Sequence, residues 1–281
     1  MSVAVVTLTH GRHDHLRRQV AGLRASSRPP DVHVVAAMDD PALRQGRVDG
    51  VGGPWPTEVV DVPVDERGLP LAAARNAAAA RAAELGSELL VFLDVDCIPG
   101  PDTLRTYAHH ALAAAPPPPP RPALWCGDVA YLPPSPEGYD LDRLAELGEH
   151  RPDRVRLAPG ETRAEPDLRQ FWSLSFALTA EDFATTGGFC PEFVGYGGED
   201  TDFAMTVGSL GGSLTWVGGA TAYHQHHPPA SVDRGHVAAV VRNAGVFARR
   251  WGWWPMEGWL EDYARRGLAA RGPDGVWVAT P

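Results

Sequence analysis

Two acidic residues close the end of an apolar run, and the chemistry they suggest is metal binding. Residues 89–99 read LLVFLDVDCIP, in which Asp94, Val95 and Asp96 follow the apolar stretch. Such a run is typical of a buried strand in a parallel sheet, and residues two apart on extended backbone point the same way. Both carboxylates would then lie at the carboxyl edge of the sheet and hold Mg²⁺ or Mn²⁺ with a phosphorylated ligand. A loop with two solvated acids is the alternative.

Three histidines in the second half of the chain are candidate metal partners for these acids. His224, His226 and His227 follow a strand that we predict over residues 213–217. On extended backbone His224 and His226 share a face, and imidazole nitrogen with carboxylate oxygen suits Mn²⁺. We expect His224 to be the better ligand, His226 the next, and His227 to turn away. Taken without the two acids, the same segment is typical of a polar loop.

The sequence GYGGED combines an aromatic residue, flexible glycines and two acids. Glu199 and Asp200 begin a predicted helix directly after Gly197 and Gly198. The helix dipole favours ionised acids at this end, where a carboxylate can act as a general base. Tyr196 beside them is typical of a sugar site, with the ring against a C–H face and the acid on the hydroxyls. Helix capping by the acids and a core position for Tyr196 are the alternatives.

Further polar residues are expected at the same edge of the sheet. Arg12 begins the first predicted helix after a polar turn that contains Thr9, and Asp39 follows the second predicted strand. A guanidinium can pair with a diphosphate, and a carboxylate can accept a hydrogen bond from a nucleobase ring. Arg75 and Asn76 are the polar residues of an otherwise apolar helical stretch. A structural role stays open for each, and Asn76 can equally bond to a neighbouring loop.

Strands and helices alternate through the first half of the chain and would position these residues. This alternation predicts an α/β, doubly wound and mostly parallel sheet with right-handed crossovers. The predicted strands of this half cover residues 3–8, 32–37, 58–62 and a segment from 89, and the helices cover 13–25, 69–85 and about 101–115. In the less regular second half we predict strands near 124–131, 171–178 and 213–217, and helices over 181–186, 199–210, 236–250 and 256–266.

Composition narrows the class of partner. A formal charge of -10 argues against a nucleic-acid surface or a basic membrane patch, so we expect a small-molecule partner. An opening without a leader pattern, and no apolar run of membrane-spanning length, predict a cytoplasmic protein, either free or peripheral to a membrane. Three widely spaced cysteines are typical of reduced thiols. The proline run at 116–120 predicts a stiff surface loop, and the tryptophans at 251–259 predict a packing hub, although an acceptor cover, a dimer contact or a membrane contact stays open.

Several segments between about residues 3 and 228 carry a family resemblance. They read VVTLTHGRHDHL, MDD, GLPLAAARNAAAARA, FLDVDC, GGFCPEFVGYGGEDTDFAMTV and YHQHHPP. Together they resemble a GT-A glycosyltransferase of the family 2 type, with a carboxyl-terminal half similar to the class of the β-1,4-galactosyltransferases. The resemblance implies one GT-A (Rossmann-like) domain over residues 1–281. Its nucleotide-sugar half would cover about 1–130, its acceptor and catalytic half about 131–235, and a helical tail about 236–281.

The resemblance also implies roles for particular residues. It implies nucleotide contacts from Arg12, Asp39 and Asp94, metal ligation by Asp96 and a later histidine, and acceptor contact by Tyr196 with Asp200 as the base. Tyr196 stands where the galactosyltransferases carry Trp, and Thr201 stands where they carry a further Asp, so the acceptor stays open. The full predicted sets are Asp200 and Glu199 for catalysis; Thr9, Arg12, Asp39, Arg75, Asn76, Asp94, Val95 and Asp96 for the nucleotide; Tyr196, Gly197, Gly198 and Trp172 for the acceptor; and Asp96, His224 and His226 for the metal.

The function expected from these residues is an inverting, metal-dependent sugar transfer. The acceptor hydroxyl, deprotonated by Asp200, attacks the anomeric carbon of a nucleotide sugar, expected to be a UDP-sugar, while Mn²⁺ or Mg²⁺ on Asp96 neutralises the departing diphosphate. A glycan, a lipid-linked sugar or a small molecule is the expected acceptor. A non-catalytic carbohydrate or nucleotide-binding scaffold is the alternative. A sugar nucleotidyltransferase is a weaker one, because the first turn has one Gly and one Arg instead of a Gly-rich basic loop.

Overall fold

A computed structural model of the chain describes residues 1–112, 119–228 and 232–280. Most of the proline run at 116–120 lies outside these ranges, so the prediction of a stiff loop stays a prediction. The helices are α1 (His13–Ala25), α2 (Pro41–Arg44), α3 (Leu71–Glu84), α4 (Thr103–Leu112), α5 (Leu144–Leu147), α6 (Ala180–Thr186), α7 (Glu199–Ser209), α8 (Arg234–Trp251) and α9 (Glu257–Arg265). Short 3₁₀ turns cover Leu141–Arg143 and Leu168–Gln170.

The strands form one large mixed sheet and two smaller ones. They are β1 (Val3–Thr9), β2 (Val32–Met38), β3 (Thr57–Val62), β4 (Leu89–Leu93), β5 (Cys97–Pro99), β6 (Ala123–Cys126), β7 (Val129–Tyr131), β8 (Glu149–His150), β9 (Thr162–Glu165), β10 (Ser175–Thr179), β11 (Ser213–Val217), β12 (Ala222–His224), β13 (Ala269–Arg271) and β14 (Trp277–Ala279). The large sheet has the order β3-β2-β1-β4-β10-β6-β11-β9. Its first four strands are parallel, and β10 and β9 run antiparallel to their neighbours.

Helices cover both faces of this sheet. Helices α1 and α4 pack on one face through residues such as Leu16 and Leu104. Helices α3, α7 and α8 pack on the other through residues such as Ala78, Phe203 and Phe247. Strands β1, β2 and β4 are therefore buried along their whole length, which is why they read as continuous apolar runs in the sequence. The predicted α/β sheet is confirmed.

The second half departs from the prediction where one long strand was expected. Residues 124–131 form two strands, because the chain leaves the large sheet at Gly127, whose N–H donates to the Tyr107 hydroxyl at 2.8 Å. Strand β6 stays in the large sheet, and β7 joins a small sheet of order β5-β12-β7-β8. The strand expected over 171–178 begins only at Ser175, after a 3₁₀ turn.

The carboxyl-terminal helices are tied to the sheet domain by a buried acid. Asp202 of α7 accepts hydrogen bonds from Arg250 Nε at 2.6 Å and from Trp251 Nε1 at 2.7 Å. Helices α8 and α9 then pack on each other and on the β13–β14 hairpin through a cluster of their own that includes Val240, Leu260 and Tyr263. Within the described ranges, none of the helices combines the length and the apolar character that crossing a membrane would need.

Candidate functional site

The acidic pair lies in a tight turn between β4 and β5. The Cys97 N–H donates to the Asp94 carbonyl at 2.8 Å, and the Asp94 N–H donates to the Leu174 carbonyl at 3.0 Å. Both carboxylates line the same cleft after β4, as expected, but the backbone turns after Leu93 instead of staying extended, so the two carboxylates have different partners. Asp94 pairs with Arg75, and Asp96 pairs with Arg12 and two histidines.

A short antiparallel ladder brings the histidines to Asp96. Strand β12 pairs with β5 so that His224 lies opposite Cys97, and the Gln225 N–H donates to the Asp96 carbonyl at 2.7 Å. His224 Nε2 then lies 3.6 Å from Asp96 Oδ1, and His227 Nε2 lies 3.3 Å from Asp96 Oδ2. One ligand atom from each of these three residues lies within 4.8 Å of the other two. One carboxylate oxygen and two imidazole nitrogens suit Mn²⁺.

The placement of His226 differs from the expectation, and so does that of His227. Strand β12 ends at His224, so the two-residue periodicity stops there and the next residue, Gln225, is fully buried. His226 is exposed, and its N–H donates to the Tyr139 hydroxyl at 3.1 Å. The turn brings His227 back toward Asp96 in its place. We therefore replace His226 with His227 in the candidate metal set.

Arg12 is the third partner of Asp96. Its Nη1 donates to Asp96 Oδ2 at 2.6 Å, and its side chain is 41% exposed toward solvent. Arg12 lies directly before α1, after the turn that follows β1, at the carboxyl edge of the sheet. A guanidinium in this position can bind an anion that approaches Asp96, His224 and His227.

Arg75 forms the second charged centre, deep under the cleft. This residue is 3% exposed, and its guanidinium pairs with Asp94 at 3.2 Å and with Glu199 at 3.4 Å. Burial raises the pKa of Asp94 to about 6, against the opposing charge of Arg75. Glu199 is itself buried. The ion pair between Glu199 and Arg75 therefore joins α7 to α3, which is a structural role for Glu199.

Asp200 sits one residue further along α7. Its Oδ1 accepts a hydrogen bond from the Thr201 N–H at 2.7 Å and lies 3.4 Å from the Thr201 hydroxyl. Burial, followed by the charge of Glu199, raises the pKa of Asp200 to about 6. The preceding glycines, Gly197 and Gly198, are buried with φ of 99° and 88°, which explains why glycine is needed there. They shape the turn between Tyr196, which lines the cleft that contains Asp96, and Asp200, which is not among the residues that line it.

The other predicted nucleotide residues divide into two groups. Thr9 and Val95 line the cleft that contains Asp96, and the buried Thr9 Oγ1 has no hydrogen-bond partner among the described residues. Asn76 instead binds the backbone of Phe189, in the loop after α6. Its Nδ2 donates to the Phe189 carbonyl at 2.7 Å, and its Oδ1 accepts from the Phe189 N–H at 2.8 Å. Asp39 is exposed at the end of β2, with a left-handed φ of 46°.

Trp172 lies apart from the other predicted acceptor residues. Its ring packs under the guanidinium of Arg154, 3.2 Å from the ring centroid, in a separate small pocket that also contains Tyr131. Tyr196 is 49% exposed and borders the main cleft. Both residues were expected at the acceptor site, but Trp172 lies in a different pocket from Tyr196.

The main cleft has a volume of about 820 Å³ and runs from the edge of the sheet to the carboxyl-terminal helices. Apart from Trp259, which belongs to the tryptophan segment for which an acceptor cover was left open, its walls include residues that the sequence did not single out. His10 lies near Arg12, while His236, Trp259, Asp262, Tyr263 and Arg266 come from α8, α9 and the residue that follows. No spacing rule connects these residues to the acids, because α8 begins more than 130 residues after Asp96.

Gln19 supports the acidic turn from below and was also missed. It is fully buried in α1, and its Nε2 donates to the carbonyls of Asp94 at 2.8 Å and Cys97 at 3.1 Å. Its Oε1 accepts from the Thr7 hydroxyl at 2.9 Å, and Thr7 in turn contacts His33 at 3.0 Å. A polar residue on the apolar face of a predicted helix is the sequence signal that points to such a role.

Comparison with known proteins finds a partial family match, two relatives and two solved structures with a similar fold. A family model for the N-terminal domain of galactosyltransferase matches residues 160–228. A validoxylamine A glucosyltransferase from Streptomyces hygroscopicus subsp. limoneus is 27% identical over a 269-residue alignment that covers 88% of this chain and 56% of the relative. The protein of the same name from S. hygroscopicus subsp. jinggangensis (strain 5008) is 29% identical over 207 residues, covering 66% and 46%.

Two solved structures show the same fold. GalNAc-T7 with UDP, GalNAc and Mn²⁺ aligns with a TM-score of 0.59 and 19% identity, covering 95% of this chain and 51% of that one. TarS 1–349 from S. aureus aligns with a TM-score of 0.53 and 13% identity, covering 95% and 79%. The chain shares the GT-A fold of these two structures. It spans about half the length of the curated relatives it matches. The segment matched by the family model contains Tyr196, Asp200, His224 and His227.

Proposed function

We propose that this chain is a glycosyltransferase that moves a sugar from a UDP-sugar to a hydroxyl acceptor, with metal dependence and inversion at the anomeric carbon. The observation that carries the proposal is the group of Asp96, His224 and His227, whose ligand atoms lie within 4.8 Å of one another in the large cleft. The presence of UDP, GalNAc and Mn²⁺ in the GalNAc-T7 structure supports the same choice of donor and metal. Thr9 and Val95 line the nucleotide end of the cleft.

The residues fit a divalent metal by their chemistry. Asp96, His224 and His227 would hold it, since a carboxylate oxygen with two imidazole nitrogens is a donor set that Mn²⁺ accepts. A bound ion supplies Lewis acidity to the diphosphate leaving group. Arg12, which lies 2.6 Å from Asp96, would pair with the same diphosphate and hold the donor in place.

Asp200 is the proposed base. Its Oδ1 is engaged by Thr201, so we assign Oδ2 to the acceptor hydroxyl. In the transfer the acceptor oxygen forms a bond to the anomeric carbon, the bond from that carbon to the diphosphate oxygen breaks with its electron pair, and Asp200 keeps the acceptor proton. A single displacement of this kind inverts the anomeric centre. The guanidinium of Arg75 pairs with both Asp94 and Glu199, and these two ion pairs would keep the floor of the site rigid.

Calorimetric titration of UDP and GDP with Mn²⁺, and then with a chelator, tests the metal and donor together. We expect UDP binding that needs the metal, with weak binding for GDP. His227→Ala should abolish metal-dependent binding, whereas the matched variant His226→Ala should bind normally, because the side chain of His226 is exposed and lies outside the group around Asp96. Equal binding by both variants would remove His227 from the metal site. Metal-independent binding, or none, would favour a non-catalytic scaffold.

A further inference from the structure

The far end of the cleft carries two exposed aromatic rings. Tyr196 and Trp259 stack with their ring centroids 6.0 Å apart and an interplanar angle of 13°. Their exposed fractions are 49% and 45%, and both residues line the same cleft as Asp96 and His224. Large apolar surface that stays open inside a cleft is typical of a ligand site. The two rings form a platform, which we call the aromatic platform.

Trp259 is presented to the cleft by the amphipathic pattern of α9. Leu260 and Tyr263 bury the inner face of this helix against α8, with exposed fractions of 0% and 5%. Trp259 and Asp262 are three residues apart, so they lie on one face of the helix. Asp262 also lines the cleft, and its carboxylate accepts from Arg265 at 3.1 Å and from Arg266 at 3.4 Å.

The two halves of the platform are held in a fixed relation by the protein. The Tyr196 carbonyl accepts a hydrogen bond from the Asn243 amide of α8 at 3.2 Å. Gly197 packs so closely on Met256, the residue before α9, that an added Cβ would lie 3.1 Å from the Met256 sulfur. The turn that carries Tyr196 and the helix that carries Trp259 therefore meet at a tight contact. A rigid platform of this kind suits recognition more than general packing.

We propose that Trp259 and Asp262 of α9 complete the acceptor subsite expected at Tyr196, and that this subsite takes a polyhydroxylated six-membered ring, either a sugar or a cyclitol. The aromatic rings would cover the C–H face of such a ring, and the Asp262 carboxylate would accept from its hydroxyls. This proposal rests on the transferase function above and names its acceptor class. It also gives the carboxyl-terminal helices a role in specificity: they supply a wall of the acceptor site.

The test uses the full chain with UDP and Mn²⁺, and two ring probes, methyl β-glucoside and myo-inositol. Saturation-transfer NMR would measure the binding of each probe. We expect Trp259→Ala to weaken probe binding about tenfold, since one aromatic contact contributes about that factor. Trp259→Phe should keep part of the affinity, and Asp262→Asn should weaken binding as well. Val278→Ala is the control, because Val278 is 53% exposed on β14 and lies outside the cleft.

The outcomes separate this proposal from the function on which it rests. UDP binding should be the same in all variants, and binding of either probe that depends on Trp259 supports the subsite. Binding of the glucoside alone would identify a sugar ring, and binding of inositol alone a cyclitol. If UDP binds but neither probe does, or if Trp259→Ala binds the probes as the wild type does, the subsite is wrong while the transferase stands. If UDP fails to bind, both fall.

Discussion

At the scale of single residues, Asp200 is the proposed base. We expect Asp200→Asn to lower the transfer rate at least about a hundredfold, because the amide cannot take the acceptor proton. The substitution keeps the size of the side chain and leaves Asp96 and Arg12 untouched, so UDP binding with Mn²⁺ should be unchanged. Steady-state transfer rates and calorimetric UDP titration measure the two effects separately. A variant that retains the wild-type rate would exclude Asp200 as the base.

We expect the fall in the transfer rate at low pH, the acid limb of the pH profile, to follow the protonation of Asp200. Asp200 must be ionised to accept a proton, and burial raises the pKa of Asp200 to about 6. Transfer should therefore fall about tenfold per pH unit below pH 6. The charged and titratable groups that act on Asp200 or are acted on by it are Glu199, Arg75, Asp94, Tyr196 and Arg154.

Thr201 offers a way to move this limb without removing the base. Its N–H and hydroxyl stabilise the ionised form of Asp200 and so lower the pKa of that carboxyl. Thr201→Val keeps the N–H and loses the hydroxyl, so the midpoint of the limb should move to higher pH. The pH dependence of kcat for both proteins is the measurement, and an unchanged midpoint would assign the limb to another group. Asp94 titrates in the same region, so the profile reports coupled groups.

Residue types and spacing predicted which side chains matter better than where they point. Asp94, Asp96 and His224 were found from the sequence because acids after a buried strand and a histidine pair are strong chemical signals. His226 was misplaced, because a two-residue period holds only while the backbone is extended, and β12 stops at His224. For Asn76 the structure bears out the loop alternative instead of the nucleotide contact, and the identity of its partner, Phe189, 113 residues away in the sequence, was beyond any local rule.

At the scale of elements, α1 positions the acidic turn through Gln19. Gln19→Met keeps the side-chain volume and removes the N–H groups that hold the carbonyls of Asp94 and Cys97. We expect Mn²⁺ affinity in the presence of UDP to fall about tenfold, as is typical when an outer partner of a metal site is lost. Unsatisfied carbonyls should also lower the free energy of unfolding by about 1–3 kcal/mol.

Two measurements separate positioning by Gln19 from simple stability. Mn²⁺ titration reports the geometry of the turn, and urea unfolding reports the fold. Gln45→Met is the matched control, since Gln45 is exposed after α2 and touches neither the turn nor the cleft. A loss of stability in Gln19→Met with unchanged Mn²⁺ affinity would give Gln19 a purely structural role.

At the scale of the whole molecule, the predictability of each part follows from how it is buried. Helix α1 was predicted with its observed bounds, and β1, β2 and β3 to within one residue at either end. Strands β1 and β2 are buried along their whole length and α1 is amphipathic, and both properties leave clear apolar patterns in the sequence. Strands β5, β7 and β12 have three residues each, too few to show a period. Those short strands place His224 beside Asp96, so the metal group depended on the part of the fold that the sequence described least.

The buried hydrogen-bond chain of Gln19, Thr7 and His33 predicts how the stability of the whole fold depends on pH. His33 in β2 is fully buried, and burial lowers the pKa of His33 to about 4 from a usual value near 6.5. Since the unfolded chain binds this proton more readily, stability is full above pH 6.5 and falls as pH drops toward 4, by about 3 kcal/mol. His33→Asn cannot titrate and keeps a polar partner for Thr7, so its stability should fall less over this window. Urea unfolding of both proteins between pH 4 and 7.5 gives the difference, from which the carboxylates common to both cancel, and parallel curves would mean that His33 does not control this pH dependence.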